Sequence, residues 1–212
     1  MPPTLRHDPD SGTLTLYFHP TELQSQMRTD APDELQLPYT RTMTSFLHLH
    51  PNPSHIAIIG LGGGSMTKFL YRTLPNTLIT TIEIDPEVIA LRDHFQIPPD
   101  DYRLRILCQD GASYIAEAAA NIPTNPPDAL LIDAFGPHGQ PPQLCTQNFY
   151  DACFRLLSPG GLLIANLCDP EDQTHLARLQ TTFSNNVSLT TFEDGQNKVA
   201  LARKGIPLPK PS

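Results

Sequence analysis

Gly60, Gly62, Gly63 and Gly64 stand in the run Ile58-Ile59-Gly60-Leu61-Gly62-Gly63-Gly64-Ser65, after the apolar segment Ile56 to Ile59 and before the helix-compatible segment Met66 to Leu74. A buried strand, a tight glycine turn and a helix start in that order mark a nucleotide-type pocket. A Cβ would block both the positive-φ turn and the close approach of a ligand to the backbone, and the helix start offers unpaired N–H groups. The next apolar run, Leu78 to Ile82, ends in Glu83-Ile84-Asp85, with Glu83 23 positions after Gly60. An acid at the carboxyl end of that strand is suited to accept both hydroxyls of a ribose. The bland alternative is a glycine turn that only lets a helix pack on a sheet, with Glu83 a solvated strand end.

Two further acids follow apolar runs. Asp110-Gly111 comes directly after the third run, where the carboxylate can accept from an exocyclic amine while the glycine leaves room for a flat base. An ordinary turn capping a helix that starts at Ala112 explains the pair equally well on its own, but beside Gly60 to Gly64 and Glu83 the ligand reading is the one expected. Leu130-Leu131-Ile132-Asp133 ends in a carboxylate and opens into a Gly- and Pro-rich loop, Gly136 to Pro142. That places Asp133 on the rim where open α/β sheets bind ligands, as the first choice for the group that handles an attacking atom, with a helix or loop cap as the alternative. The loop is long enough to act as a lid over a second substrate.

Other reactive residue types carry less. His48, His50 and His55 surround Pro51-Asn52-Pro53, but no carboxylate or cysteine lies near them in sequence, so helix-end capping is expected rather than metal binding. Ser65 lies in Gly63-Gly64-Ser65-Met66-Thr67, which fails the G-x-S-x-G pattern at its last position. Cys108, Cys145, Cys153 and Cys168 show no C-x-x-C spacing, so free thiols are expected, with neither a zinc site nor a redox pair.

The elements that position these residues alternate. Strands are expected at 56–60, 78–84, 103–108, 128–133 and 161–167, and helices near 65–74, 86–94, 112–119, 146–157 and 171–182. Two further strands, Val187 to Phe192 and Lys198 to Arg203, are joined through Glu193-Asp194-Gly195-Gln196 as a hairpin. Seven strands ending in a hairpin outline an α/β, Rossmann-like class I AdoMet-dependent transferase fold. Ahead of it, Thr13 to Phe18 and Gln24 to Met27 read as a short N-terminal β-hairpin, and Tyr39, Met43, Phe46 and Leu47 fall at helical spacing. The expected division is residues 1–38 as an N-terminal extension, 39–204 as the catalytic domain, and 205–212 as a disordered Pro-rich tail.

The chain has 212 residues and a net charge of −8, which suits one domain with a small appendage and disfavours nucleic acid as a partner. No apolar run approaches the ~20 residues needed to cross a bilayer, and Met1-Pro2-Pro3-Thr4 lacks an apolar signal core, so a cytoplasmic protein without a membrane partner is expected.

From about Leu14 to Arg203 the sequence resembles the spermidine synthase family of aminopropyltransferases. The resemblance is carried by Ile58 to Ser65, Glu83-Ile84-Asp85, Asp110-Gly111, Asp133 and the segment from Gln24-Ser25 to Tyr39. It implies decarboxylated AdoMet or AdoMet as co-substrate, no metal, a polyamine as the small-molecule partner, and a homodimer as the assembly to test. The implied cofactor contacts are Gly60, Gly62, Gly64, Glu83, Ile84, Asp110, Gly111 and Gln24. Tyr39 and Phe135 are the implied substrate contacts and Asp133 the implied catalytic acid. Two family acids are missing. Gly63 stands where the family places an Asp in the glycine turn, and Ala134-Phe135-Gly136 replaces the Ser-Ser-Asp that follows the catalytic Asp. The expected activity is transfer of an aminopropyl group to a polyamine. The alternatives are transfer of a methyl or another arm of AdoMet, and a non-catalytic nucleoside-binding module.

Overall fold

Runs such as Ala129–Ile132 and Leu162–Leu167 contain no charged residue and are buried along their whole length, as strands covered on both faces must be. In the computed structural model, which describes residues 2–19, 22–136, 139–167, 173–192 and 197–209, such runs form the middle of the molecule. The elements in chain order are β1 (Thr4–Asp8), β2 (Thr13–His19), β3 (Glu22–Arg28), α1 (Pro38–Thr44), β4 (His55–Ile59), α2 (Ser65–Thr73), β5 (Leu78–Glu83) and α3 (Pro86–Ala90). They continue with β6 (Leu104–Cys108), α4 (Gly111–Ala120), β7 (Ala129–Ile132), α5 (Gln147–Leu156), β8 (Leu162–Leu167), α6 (Thr174–Thr182), β9 (Val187–Thr191) and β10 (Lys198–Arg203).

The seven-stranded sheet has the order β6-β5-β4-β7-β8-β10-β9. Its first five strands are parallel, and β10 runs antiparallel to both β8 and β9. Alternation along β4 sends Ile56 and Ile58 to one face and Ala57 and Ile59 to the other. Ile56 and Ile58 pack with Met43, Phe46 and Leu70 from the α1 and α2 side. Ala57 and Ile59 pack with Ile115, Phe149 and Leu156 from α4 and α5. This is the seven-stranded α/β architecture expected from the sequence.

β1, β2 and β3 form a separate antiparallel sheet. Leu14, Leu16 and Met27 from it bury against Leu61, Val88, Phe95 and Ile97, which lays β3 over the turn after β4.

Several boundaries differ from expectation. The N-terminal hairpin gains a third strand, β1, whose residues are mostly exposed and pair only with β2, so no apolar period announces it. The helix expected to reach residue 94 ends at Ala90; the chain continues in turns to Gln96, which takes φ 54, and Phe95 and Ile97 on either side of it are buried in the cluster under β2 and β3. The tail expected to be disordered is docked where described. Asn186 Oδ1 accepts from Leu208 N–H at 2.8 Å, and Leu208 packs on the α1 and α2 face. Residues 210–212, the connection Glu193–Gln196, the start of the expected helix at 171–172 and Cys168 lie outside the described residues. His55 is not a helix cap: it is a buried strand residue, with Nδ1 3.0 Å from Asn125 O and Nε2 3.1 Å from Thr80 Oγ1.

Candidate active site

From β4 the chain moves outward through β5 and β6, then returns to set β7 on the other side of β4. The segments leaving β4 and β7 diverge at that reversal, and the crevice between them is where an open α/β sheet binds its ligand. Gly60 and Asp133 face each other across it. Asp133 N–H donates to Ile59 O at 2.9 Å, and Gly60, at φ +99, has Asp133 O only 2.1 Å from where a Cβ would stand. Only glycine allows this approach, so the turn residue fixes the position of the acid.

Asp133 is the charged centre of the crevice. Its Oδ1 accepts from Asn166 Nδ2 at 3.0 Å and its Oδ2 from the Tyr39 hydroxyl at 3.3 Å. Burial pushes its carboxyl up to about 6, against the pull of those two hydrogen bonds. Asn166, on β8, is itself buried, and its own Oδ1 has no hydrogen-bond partner among the described residues. The sequence reading missed Asn166. Its signal was an amide inside the otherwise apolar run Leu162–Leu167.

The same cavity is lined by Gln24, Tyr39, Gly60, Gly62, Glu83, Ile84, Asp133 and Phe135, residues the sequence singled out. Glu83 accepts Leu61 N–H on Oε2 at 2.9 Å and Asp85 N–H on Oε1 at 2.9 Å. Each oxygen keeps a lone pair, so the carboxylate is held in place yet can still accept hydroxyl groups. Ile84 beside it is 59% exposed, an apolar face on the lip of the crevice. Phe18, Ser25 and Ser65 also line the cavity and were not foreseen. Ser25 Oγ lies 3.5 Å from Ser65 Oγ.

Gly64, Asp110 and Gly111 do not line the cavity. Gly64 is the left-handed residue ahead of α2, with Ile97 packed where a Cβ would go. Asp110 caps α4, its Oδ1 accepting Ser113 N–H at 2.8 Å, and Gln143 Nε2 donates to its Oδ2 at 3.4 Å. Burial opposes ionisation of Asp110, but the hydrogen bonds from Ser113 and Gln143 outweigh it and lower its pKa. Gly111 lies so close to β4 that a Cβ would meet Ile59 Cγ2 at 2.4 Å. The capping alternative for Asp110 is therefore realised, beside an oxygen turned toward Gln143.

At Gly63 a Cβ would stand 2.5 Å from Ser25 Oγ and 2.9 Å from the Phe95 ring. The space that an acid would need in the turn is filled by β3 and the residue it packs against. Among the described residues no group of three or more His, Cys, Asp or Glu could hold a metal ion, and no helix is long and apolar enough to cross a membrane.

A family model described as the spermine/spermidine synthase domain matches residues 36–192. A polyamine aminopropyltransferase of Chromobacterium violaceum is 34% identical over 188 residues, covering 87% of this chain and 70% of the relative. Of solved structures, a probable spermidine synthase from Corynebacterium glutamicum superposes with a TM-score of 0.80 at 22% identity, over 95% of this chain and 76% of that one. A spermidine synthase in complex with the transition state analogue AdoDATO gives 0.71 at 26% identity, over 96% and 70%. A family match across most of the chain and a relative one-third identical lead to one conclusion: the chain belongs to the spermine/spermidine synthase family of aminopropyltransferases.

Proposed function

We propose that this crevice binds decarboxylated AdoMet and transfers its aminopropyl arm to an amine, a polyamine in the family's usual chemistry, with Asp133 as proton acceptor. The observation that carries the reading is Asp133 itself, half-buried at the reversal of strand order and held by two side-chain donors. The chain's residues fit the nucleoside end. Glu83 has lone pairs left for ribose hydroxyls, Gly60 and Gly62 leave the turn without side chains, and Ile84 offers an apolar face to a base. Gln24 and Ser25 on β3 close the crevice from above.

An amine of pKa ~10 reaches the enzyme as an ammonium, which cannot attack. Asp133, ionised at neutral pH, pairs with it, takes one proton and leaves the nitrogen lone pair free. That pair forms the new N–C bond to the carbon beside the sulfonium as the C–S bond breaks, and its electrons return to sulfur to give neutral methylthioadenosine. The proton on Asp133 then passes to solvent. Tyr39 and Asn166 hold the carboxylate so that it meets the nitrogen in line, which is where most of the rate gain lies for a good leaving group.

Asp133→Asn tests the reading. Release of methylthioadenosine should fall by ~10²-fold or more while calorimetric binding of decarboxylated AdoMet persists. A variant that keeps its turnover would sink it. Gly63, with Ser25 Oγ and the Phe95 ring where a side chain would stand, puts no acid in the turn itself and favours a second reading in which AdoMet is the donor. A preference for AdoMet of tenfold or more, about 1.4 kcal/mol, in the same titrations would put that reading first.

A further inference from the structure

Tyr39 reaches Asp133 from the first turn of a short helix. α1 is seven residues long, and a helix of that length is marginal on its own. Its N-cap, Leu37, makes no side-chain hydrogen bond to the first turn. Pro38 opens the helix and keeps the residue before it extended, as Leu37 is at φ −84 and ψ 132. The carbonyls of Leu35 and Gln36, just upstream, therefore lie outside the helical ladder, and among the described residues no backbone N–H donates to them.

Arg41 takes both. Its Nε donates to Leu35 O at 2.7 Å and its Nη2 to Gln36 O at 3.1 Å, a planar fork closed on two successive carbonyls. The side chain leaves α1 at Arg41 and ends upstream of Leu37, so it spans the turn that carries Tyr39. Leu35 is buried in the cluster that holds Met43, Phe46 and Ile58, which makes the far end of the fork a fixed point. Thr40 closes the same turn from within, its N–H donating to Leu37 O at 3.1 Å and its hydroxyl at 2.6 Å. At the site itself the Tyr39 hydroxyl meets Asp133 at 3.3 Å, a bond that a small opening of the turn would break.

We infer that Arg41 is a positioning residue of this site: its fork keeps the first turn of α1 closed and thereby holds the Tyr39 hydroxyl on Asp133 during transfer. This rests on the aminopropyl-transfer reading and adds to it a residue that does not line the crevice.

The test is a double-mutant cycle on methylthioadenosine release from decarboxylated AdoMet, with 1,4-diaminobutane as the acceptor. Arg41→Met keeps an unbranched apolar stem and removes the fork. It should lower kcat/KM for the amine by about tenfold, as Tyr39→Phe should, while KM for decarboxylated AdoMet stays within about twofold. In the double variant the second loss should vanish, leaving kcat/KM within about twofold of Tyr39→Phe alone. Arg41→Lys, which offers a point charge in place of the fork, should recover only part of the loss, and full recovery would reject the fork. Losses that multiply to about a hundredfold in the double variant would overturn the inference, as would an Arg41→Met protein of unchanged kcat/KM. A second readout does not depend on turnover. Exchange of the Thr40 amide should be about tenfold faster in Arg41→Met, with exchange along β4 unchanged. Protection kept at Thr40, or lost along β4 as well, counts against a local clamp. If the unaltered chain binds the nucleoside yet releases methylthioadenosine with no amine, the transfer reading falls and this inference with it. Multiplying losses in an active enzyme remove the inference alone.

Discussion

Asp133 shows how one residue's surroundings set its chemistry. Burial raises its pKa to about 6 because ionisation inside the crevice loses hydration, while the donors on Tyr39 and Asn166 favour the ionised form and hold that rise in check. Below that pH the carboxyl carries its own proton and cannot take one from an ammonium. The kcat/KM profile of the free enzyme should therefore show an acid limb near pH 6, rising tenfold per pH unit below it. Removing a donor removes help for the charged form, so Tyr39→Phe and Asn166→Leu should each move this limb upward and lower kcat/KM at pH 7 by ~10-fold, with nucleoside binding kept. A purely structural role for these two side chains would lower the activity and leave the limb in place, and that result would contradict their coupling to Asp133.

At the scale of elements, the glycine turn works because β3 lies across it. Gly60 admits the backbone of Asp133, and Gly63 admits Ser25 Oγ and the Phe95 ring. Gly63→Asp, which restores the acid the family places in the turn, should therefore strain the contact between β3 and the turn. The expected cost is about 1–3 kcal/mol of stability, seen as a fall in Tm, with no tighter binding of decarboxylated AdoMet. A variant of unchanged Tm that binds this donor tenfold more tightly would show that the N-terminal sheet yields to the acid. The same region marks what could be read from the sequence. β4, β7 and β8 were legible because strands buried on both faces are apolar nearly throughout, β5 from its β-branched run, and Glu83 and Asp133 because each ends such a run. β1 was not, since an edge strand exposed on both faces needs no apolar period. Ser25 and Asn166 were not either, because each meets the site through a partner distant in sequence: Ser65 lies 40 positions from Ser25, and Asp133 lies 33 from Asn166.

At the scale of the whole molecule, the two sheets are joined across a cluster that contains a cation. Lys68, on α2, is fully buried, and its Nζ donates to Phe95 O at 2.7 Å and Met27 Sδ at 3.0 Å, so one side chain binds α2 both to β3 and to the segment after α3. Burial lowers its pKa to about 8, with Asp33 pulling weakly the other way. The unfolded chain holds the Lys68 proton up to pH ~10.4, so between about 8 and 10 the unfolded state binds more protons and stability rises with pH. Asp133 has the opposite sign: between about 4 and 6 the folded state binds the extra proton, and stability falls as pH rises. Lys68→Met keeps the length and apolar stem of the side chain while removing its charge. Denaturant unfolding across the pH range should show the alkaline rise abolished in this variant, a loss of slope on the order of 1–2 kcal/mol between pH 8 and 10, while the acid-side fall due to Asp133 persists. Stability at pH 7 should be unchanged or higher, because the desolvation of an ammonium is removed together with its two hydrogen bonds. An alkaline rise that survives in Lys68→Met would assign it to another group and leave Lys68 as packing alone.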